Sequence, residues 1–409
     1  MSAEVQPLGN GLTVAVDPIS EAESIALGLY VQVGSRSEPK GIGGIAHLVE
    51  HMVFKGAGGR DTRALAEVIE DVGGSLNAWT ARDQTAFHGR ALARDLPLVA
   101  QLIADLVRAP HFDEGHLERE KQVILSELGE CLDSPEDLVH DHLLEAAFDR
   151  QALGRPVLGT ELSIRAIQRQ DCLDWLAREF VPSRMILAAS GKVDAGKLCA
   201  LAETLFGDMT AQPEPDIEKA DFTGGVRNDT RSFEQAHWCL AYPGLAAADP
   251  SAPALSLFVQ ALGGGASSRL FQELREERGL AYSIYAWNQP FADVGMVGIG
   301  CAADRARAAE SIAVARELVS ATAESLSEAE LQRARAQMEA SLLMGLETPQ
   351  GRADHLARSI EVFGRAVPTD ELIEQLRAVD VAAARTAGAA LLRGPIAMAS
   401  VGARLALAA

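Results

Sequence analysis

Apolar and polar side chains alternate in several short stretches of the first hundred residues. Residues 12–16 and 25–33 carry apolar side chains at every second position, which is the spacing of strands with one buried face. Residues 75–80 and 85–88 show the same alternation and predict a pair of neighbouring strands. The spacing becomes helical between these two groups, so strands and helices share one domain.

The segment that follows the first strands predicts an amphipathic helix. Its apolar side chains recur three and four positions apart and form one stripe: Ile45, Leu48, Val49 and Met52. His47, Glu50 and His51 lie about half a turn away from this stripe. The helix should therefore pack through its apolar stripe and present the three polar groups on its other side.

The remainder of the first half is predominantly helical. Residues 61–72 predict a helix that opens with the capping residues Asp61 and Thr62. Residues 93–205 have mainly helical spacing, interrupted by a strand-like run at 185–191. The prolines and glycines of residues 207–229 lie among polar residues with little periodicity and indicate a linker.

Beyond the linker, the order of predicted elements starts again. A strand at 238–242 is followed by a helix at 251–262, a glycine-rich turn and a helix that reaches Arg275. Further strands and helices then follow: strands at 281–287 and 294–301, and helices from 305. The sequence therefore predicts an α+β protein of two homologous domains, residues 1–210 and 229–409, joined by a linker at 211–228.

Composition and charge narrow the class of protein. The 409 residues are 48% hydrophobic and 23% charged, which is typical of a globular chain of two or more domains. The net charge of −20 argues against nucleic-acid binding, because phosphate contacts require clustered Lys and Arg. The charge suits a basic peptide ligand, although a surplus of acidic residues also simply serves solubility.

The sequence also favours a cytoplasmic location. No apolar run reaches 18 residues and the N-terminal residues lack the features of a secretory signal, so neither a membrane span nor export is expected. The cysteines are odd in number, widely spaced and without C-x-x-C pairing, as expected for free thiols in a reducing compartment. They are Cys131, Cys172, Cys199, Cys239 and Cys301.

The polar face of the first helix has the composition of a zinc site. His47 and His51 are four residues apart and therefore lie on one helix face, with Glu50 beside them. Two imidazoles with an adjacent carboxylate can bind zinc and supply a general base, and H-x-x-E-H is the inverted form of the H-E-x-x-H motif. The alternative is a pair of ordinary histidines on an amphipathic helix.

A third zinc ligand is needed, because catalytic sites hold the ion with three protein groups and one open position. The helix predicted around residues 114–131 carries Glu120 and Glu127 seven residues apart on one face, with Val123 and Ile124 between them. Carboxylates interleaved with apolar residues are expected to be buried, and therefore paired or bound to metal. The alternative is that this helix is simply acidic.

With these residues, the chain resembles the M16 metallopeptidases, also called pitrilysins or inverzincins. It looks closest to short two-domain members such as the mitochondrial processing peptidase β subunit and its bacterial relatives. In that family a ligand Glu follows H-x-x-E-H by about 76 residues, as Glu127 follows His51 here. The resemblance implies one zinc ion per chain held by His47, His51 and Glu127. It also implies that Glu50 is the general base on zinc-bound water and that Glu120 supports the ligands.

The resemblance extends into both halves of the chain. Asn77 and Ala78 match an edge strand that pairs with the substrate backbone in the family. Arg275 and Tyr282 match an Arg and a Tyr, seven residues apart, that reach the substrate near the scissile bond. The implied fold is that of the LuxS/MPP-like metallohydrolases, with two α/β-roll domains that each have a mixed or antiparallel sheet flanked by helices.

The implied function is that of a zinc metalloendopeptidase acting on unstructured peptides. In relatives four such domains enclose a chamber, so a two-domain chain is expected to dimerise. A homodimer would place Arg275 and Tyr282 of one chain at the zinc site of the other, and a heterodimer with a related subunit is the alternative. A peptidase that processes targeting presequences and a non-catalytic subunit of the same fold are the alternative functions.

Overall fold

The computed structural model describes residues 3–213 and 215–407. These residues form two compact units. Unit 1 comprises the described residues of Met1–Leu128, Pro156–Glu218 and Leu343–Thr369, and unit 2 comprises those of Gly129–Arg155, Lys219–Leu342 and Asp370–Ala409. Within the described residues, none of the helices combines the length and apolar character that crossing a bilayer requires.

The strands and helices are numbered in chain order. The strands are β1 (Glu4–Pro7), β2 (Thr13–Pro18), β3 (Ser24–Val31), β4 (Gly56–Ala57), β5 (Arg60–Asp61), β6 (Ser75–Thr80), β7 (Thr85–Leu92), β8 (Met185–Gly191), β9 (Gly225–Asp229), β10 (Ala236–Gly244), β11 (Ala281–Pro290), β12 (Gly295–Ala303) and β13 (Ala397–Val401). The helices are α1 (Ile45–Val53), α2 (Thr62–Glu70), α3 (Leu96–Arg108), α4 (Glu114–Asp133), α5 (Pro135–Ala147), α6 (Glu161–Ala166), α7 (Arg169–Glu179), α8 (Ala195–Phe206), α9 (Ala252–Gly263), α10 (Ala308–Ser325), α11 (Glu328–Gly345), α12 (Pro349–Phe363), α13 (Thr369–Ala378) and α14 (Val381–Leu391). A π-helical segment, Phe271–Glu277, precedes β11.

The two units contain sheets of the same topology. The strand order is β1-β2-β8-β3-β7-β6 in unit 1 and β11-β12-β10-β13-β9 in unit 2. Read from β6 to β2, the first sheet matches the second strand for strand, and β1 is an addition. In each sheet one pair is parallel, β2 with β8 and β9 with β13, and the other pairs are antiparallel. The predicted α+β fold with two homologous, helix-flanked sheets is confirmed.

The core of unit 1 lies mainly on one face of its sheet. In β3, Ile25, Leu27 and Leu29 point to this face and are at most 1% exposed. Tyr30 points to the opposite face, as the two-residue period of a strand requires. That opposite face holds a small cluster of mostly alanine side chains, which α12 covers with Leu356 and neighbouring residues.

Each unit takes one helix from the other half of the chain. Helix α12 covers the sheet of unit 1, and α5 packs against β9, β10 and β13 of unit 2. The predicted domains, residues 1–210 and 229–409, are continuous in sequence and do not include this exchange of helices. Periodicity shows that a helix has an apolar face, but it does not show which sheet that face covers. Strand β9 occupies the end of the segment expected to be a linker, 211–228, and extends one residue beyond it.

Candidate metal centre

Helix α1 begins at a glycine that the backbone requires. Gly44 has a φ of +91°, and a Cβ added there would lie 2.6 Å from the carbonyl oxygen of Leu158. The first amides of the helix are bound by the buried carboxylate of Glu38. Glu38 Oε2 accepts from Gly44 N at 2.8 Å and Oε1 accepts from Ala46 N at 3.0 Å. A negative charge at this end of the helix also complements the helix dipole.

The predicted apolar stripe of α1 is buried, as expected. Ile45, Leu48, Val49 and Met52 are at most 1% exposed. His47, Glu50 and His51 lie on the other side and remain partly accessible. The two imidazole rings pack edge to face with centroids 4.5 Å apart.

Helix α4 brings Glu127 to the two histidines. Glu127 Oε2 lies 4.0 Å from His47 Nε2 and 3.8 Å from His51 Nε2, and one ligand atom from each residue lies within 4.8 Å of the others. Tetrahedral zinc with bonds of about 2.0–2.1 Å holds its ligand atoms roughly 3.3 Å apart. The three donors therefore fit a zinc ion after a small closure, and their two-nitrogen, one-oxygen composition is suitable.

Glu120 lies behind the candidate metal ligands. Its Oε2 lies 3.2 Å from His51 Nδ1, and its Oε1 lies 3.0 Å from Lys55 Nζ. Glu120 is 7% exposed, so the expected burial holds for this carboxylate. An imidazole that binds metal through one nitrogen commonly donates its other N–H to such a carboxylate.

The expectation that the whole Glu120–Glu127 face is buried was wrong for two residues. Val123 is 43% exposed, and the Glu127 side chain is 38% exposed. With 100° of rotation per residue, Val123 and Ile124 lie about 50° to opposite sides of the line joining Glu120 and Glu127, so the core can cover one of them and leave the other exposed. Ile124 is fully buried.

Burial shifts the pKa values of two side chains in the candidate centre. Burial, assisted by the neighbouring His51, lowers the pKa of His47 to about 4, so its imidazole is neutral and able to bind metal near neutral pH. Burial also raises the pKa of Glu50, although the Thr80 hydroxyl and His51 act in the opposite direction. Within the described residues, the buried Oε2 of Glu50 has no hydrogen-bond partner.

The other sequence-predicted site residues lie on different elements. Asn77 and Ala78 belong to β6, which pairs with β7 alone among the described residues and forms an edge of the first sheet. Arg275 and Tyr282 belong to unit 2, and thus are not part of the cluster within unit 1. The Arg275 guanidinium lies 4.8 Å from the ring centroid of Phe271, and Tyr282 is 73% exposed.

Sequence reasoning missed three residues of the centre's surroundings. The sequence did not single out Glu38 or Lys55, and it placed Thr80 only at the end of the predicted strand 75–80. Lys55 had a usable signal, because it follows His51 by four residues and helical spacing would place it beside that imidazole. Glu38 and Thr80 had none, since their contacts depend on how the chain folds back onto α1.

Two family descriptions match the chain. Residues 13–161 match "Insulinase (Peptidase family M16)", and residues 166–338 match "Peptidase M16 inactive domain". An uncharacterized zinc protease of Streptomyces coelicolor is 32% identical over 382 residues, covering 91% of this chain and 83% of that protein. An uncharacterized zinc protease of Bacillus subtilis is 30% identical and covers 91% of each chain.

Further comparisons agree. A probable mitochondrial-processing peptidase subunit beta of Arabidopsis thaliana is 32% identical over 92% of this chain and 73% of its own length. A crystal structure described as the peptidase M16 inactive domain from Pseudomonas fluorescens has the same fold, with a TM-score of 0.90 at 21% identity over 100% of this chain and 99% of that one. A protease from Helicobacter pylori has a TM-score of 0.89 at 20% identity, over 98% and 99% of the two chains. The chain belongs to peptidase family M16.

Proposed function

We propose that this protein is a zinc metalloendopeptidase that holds one zinc ion per chain. The observation that carries the proposal is the cluster of His47, His51 and Glu127, whose ligand atoms lie within 4.8 Å of one another. Glu50 projects from the same turn of α1 as the two histidines. Two relatives are named zinc proteases, and these names support a zinc-dependent peptidase activity.

In the proposed mechanism, the metal ligands, Glu50, Arg275 and Tyr282 have separate roles in peptide hydrolysis. When bound, zinc supplies a Lewis acid that polarises the peptide carbonyl and makes water more acidic. Glu50 would take a proton from the attacking water and deliver it to the leaving amine. Arg275 and Tyr282 would donate hydrogen bonds to the developing oxyanion or to the substrate backbone.

The substrate is expected to bind in an extended form. Strand β6 leaves one backbone edge without a partner strand among the described residues, and an extended peptide can add to such an edge by backbone hydrogen bonds. Asn77 and Ala78 would lie along this added strand. Unstructured peptides, including basic ones that suit the net charge of −20, are therefore the proposed substrates.

The proposed assembly is a homodimer that encloses a chamber. Arg275 and Tyr282 of one chain would complete the zinc site of the other, and the exposure of Tyr282 is compatible with such a role. Because this chain carries both sets of residues, a second type of subunit is not required. A heterodimer is the alternative, since one relative is named as the beta subunit of a processing peptidase.

A presequence-processing peptidase is the second candidate function. Its support is the 32% identity to that probable processing-peptidase subunit, together with the acidic charge. The two candidates differ in selectivity. A general peptidase cuts many unstructured peptides, whereas a processing peptidase makes one cut in a defined basic segment.

The test combines metal analysis with peptide digestion. Wild type should bind one zinc per chain and cleave members of a mixed peptide library, with cut sites identified by mass spectrometry. Glu50→Gln should keep zinc but lower turnover by at least about 10²-fold, because the general base is lost. Glu70→Gln, on the exposed surface of α2, is the matched control and should behave as wild type. Normal cleavage by Glu50→Gln would falsify the assignment of the base.

A further inference from the structure

Lys55 contacts the carboxylate that supports the second histidine of the metal centre. Lys55 Nζ lies 3.0 Å from Glu120 Oε1, and Glu120 Oε2 lies 3.2 Å from His51 Nδ1. The three side chains form a continuous chain of polar contacts that ends on a candidate zinc ligand. Lys55 follows α1 by two residues and Glu120 lies in α4. The contact therefore joins the two elements that carry the metal ligands.

The position of Lys55 is restricted by its backbone. Lys55 N donates to the carbonyl of Met52 at 3.0 Å, and the Thr62 hydroxyl donates to the carbonyl of Lys55 at 3.0 Å. The Lys55 side chain is 28% exposed, so much of its length is packed against protein. The backbone of Lys55 is thus held in place, and its side chain directs the ammonium group to Glu120.

The carboxylate of Glu120 has few polar contacts. Its side chain is only 9% exposed, and within the described part of the chain its polar contacts are those with His51 and Lys55. Removing the Lys55 ammonium would leave Oε1 buried without a partner, which is unfavourable for a carboxylate. The carboxylate would then turn toward solvent or another donor and release His51 Nδ1.

We infer that Lys55 is a positioning residue of the metal centre, which holds Glu120 in the rotamer that accepts the N–H of His51 Nδ1. This contact keeps the imidazole oriented with Nε2 toward Glu127, from which it lies 3.8 Å. The inference rests on the proposed zinc site. Loss of a contact behind a metal ligand typically lowers metal affinity by about 10–100-fold.

Zinc affinity of the full-length chain tests the inference without relying on activity. Metal-free wild type, Lys55→Met, Lys55→Gln and Lys55→Arg would be titrated with zinc against a chromophoric chelator, and their Tm values measured without metal. Lys55→Met and Lys55→Gln should bind zinc at least about tenfold more weakly. Lys55→Arg should recover most of the affinity. Lys192→Met is the matched control, because Lys192 forms an exposed pair with Glu23 at 3.1 Å, and it should bind zinc as wild type does.

A double-mutant comparison separates positioning from general structural damage. If Lys55 acts through Glu120, Lys55→Met should have no further effect on zinc affinity in a Glu120→Ala background. An equal loss in both backgrounds would overturn the inference, as would wild-type affinity of both Lys55→Met and Lys55→Gln. His47→Ala distinguishes the two proposals. If it abolishes zinc binding while Lys55→Met does not weaken it, the zinc site stands and only the role of Lys55 fails, whereas unchanged binding by His47→Ala would overturn both.

Discussion

Glu38 Oε2 lies 2.8 Å from the amide nitrogen of Gly44, at the point where the helix with the candidate zinc ligands begins. Its second oxygen binds Ala46 N at 3.0 Å, and Glu38 is only 3% exposed. This buried carboxylate therefore fixes the first turn of α1, one turn before Glu50.

Replacing Glu38 by Ala should destabilise the protein and loosen the metal centre. The loss of two helix-capping hydrogen bonds should cost at least about 1–2 kcal/mol. Thermal denaturation of the metal-free chain and zinc titration would measure the two effects. Asp61→Ala, which removes an exposed cap on α2 bound to Ala64 N at 2.9 Å, is the control. It should lower stability slightly but leave zinc affinity unchanged, and equal zinc affinity for both variants would contradict the prediction.

Mixing two inactive chains should restore activity if the site is completed by a second subunit. Glu50→Gln lacks the proposed base and Tyr282→Phe lacks the proposed substrate contact. A mixed dimer would contain one site with both residues intact. Each mixed dimer should therefore cleave peptides at about half the rate of a wild-type dimer, because one of its two sites is complete. Verified subunit exchange without any recovery would rule out a shared site.

Arg352 on α12 pairs with Asp17 on the sheet of unit 1. Its Nε and one terminal nitrogen lie 2.6 and 2.8 Å from the two carboxylate oxygens, and the Asp17 side chain is fully buried. Arg352→Met should lower the free energy of unfolding by about 3–5 kcal/mol, because it leaves a buried charge unpaired. Urea denaturation would measure the loss.

Two control variants accompany Arg352→Met: one that also replaces Asp17, and one that breaks an exposed ion pair elsewhere. The double variant Asp17→Leu with Arg352→Met should recover much of the stability, since an apolar pair avoids the buried charge. Arg63→Met breaks an exposed pair with Glu67, whose side chains are 86% and 54% exposed, and should change stability by less than about 1 kcal/mol. A small effect of Arg352→Met would show that the pair does not anchor α12.

Stability should depend on pH through Glu330 in unit 2. The hydrogen bond from Arg269 lowers the pKa of Glu330 from 4.5 to about 2. Because the folded pKa is the lower one, folding stabilises the ionised carboxylate. This contribution is complete above about pH 4.5 and is lost as the pH falls toward 2. Relative to Glu330→Gln, wild type should be more stable by about 1 kcal/mol at pH 6, after allowance for solvent screening.

Urea denaturation at pH 6 and pH 3 would measure this difference. The advantage of wild type over Glu330→Gln should shrink at pH 3. Glu310→Gln, which alters an exposed pair with Arg307, serves as the control and should differ little from wild type at either pH. A wild-type advantage that is the same at both pH values would contradict the prediction.

Local periodicity was sufficient to predict most elements. The strand predicted at 185–191 has those bounds in the structure, and the strand predicted at 75–80 does too. Strands β9 and β13 were among the strands that the sequence did not predict. Strand β9 is largely exposed and lies among linker-like residues, whereas β13 is a short run that is fully buried. Neither shows the alternation that marks a strand with one buried face.

The sequence alone determined that His47, Glu50 and His51 share one helix face, because positions three and four apart are neighbours in any helix. The pattern of the next acidic helix offered Glu120 and Glu127 as candidates for the third ligand, and the family resemblance selected Glu127. Only the tertiary structure decided that Glu120 links His51 to Lys55, that Glu38 caps α1, and that α5 and α12 cover sheets in the opposite halves of the chain. These relationships depend on which surfaces meet when apolar faces are buried, and periodicity within one segment carries no information about its partner.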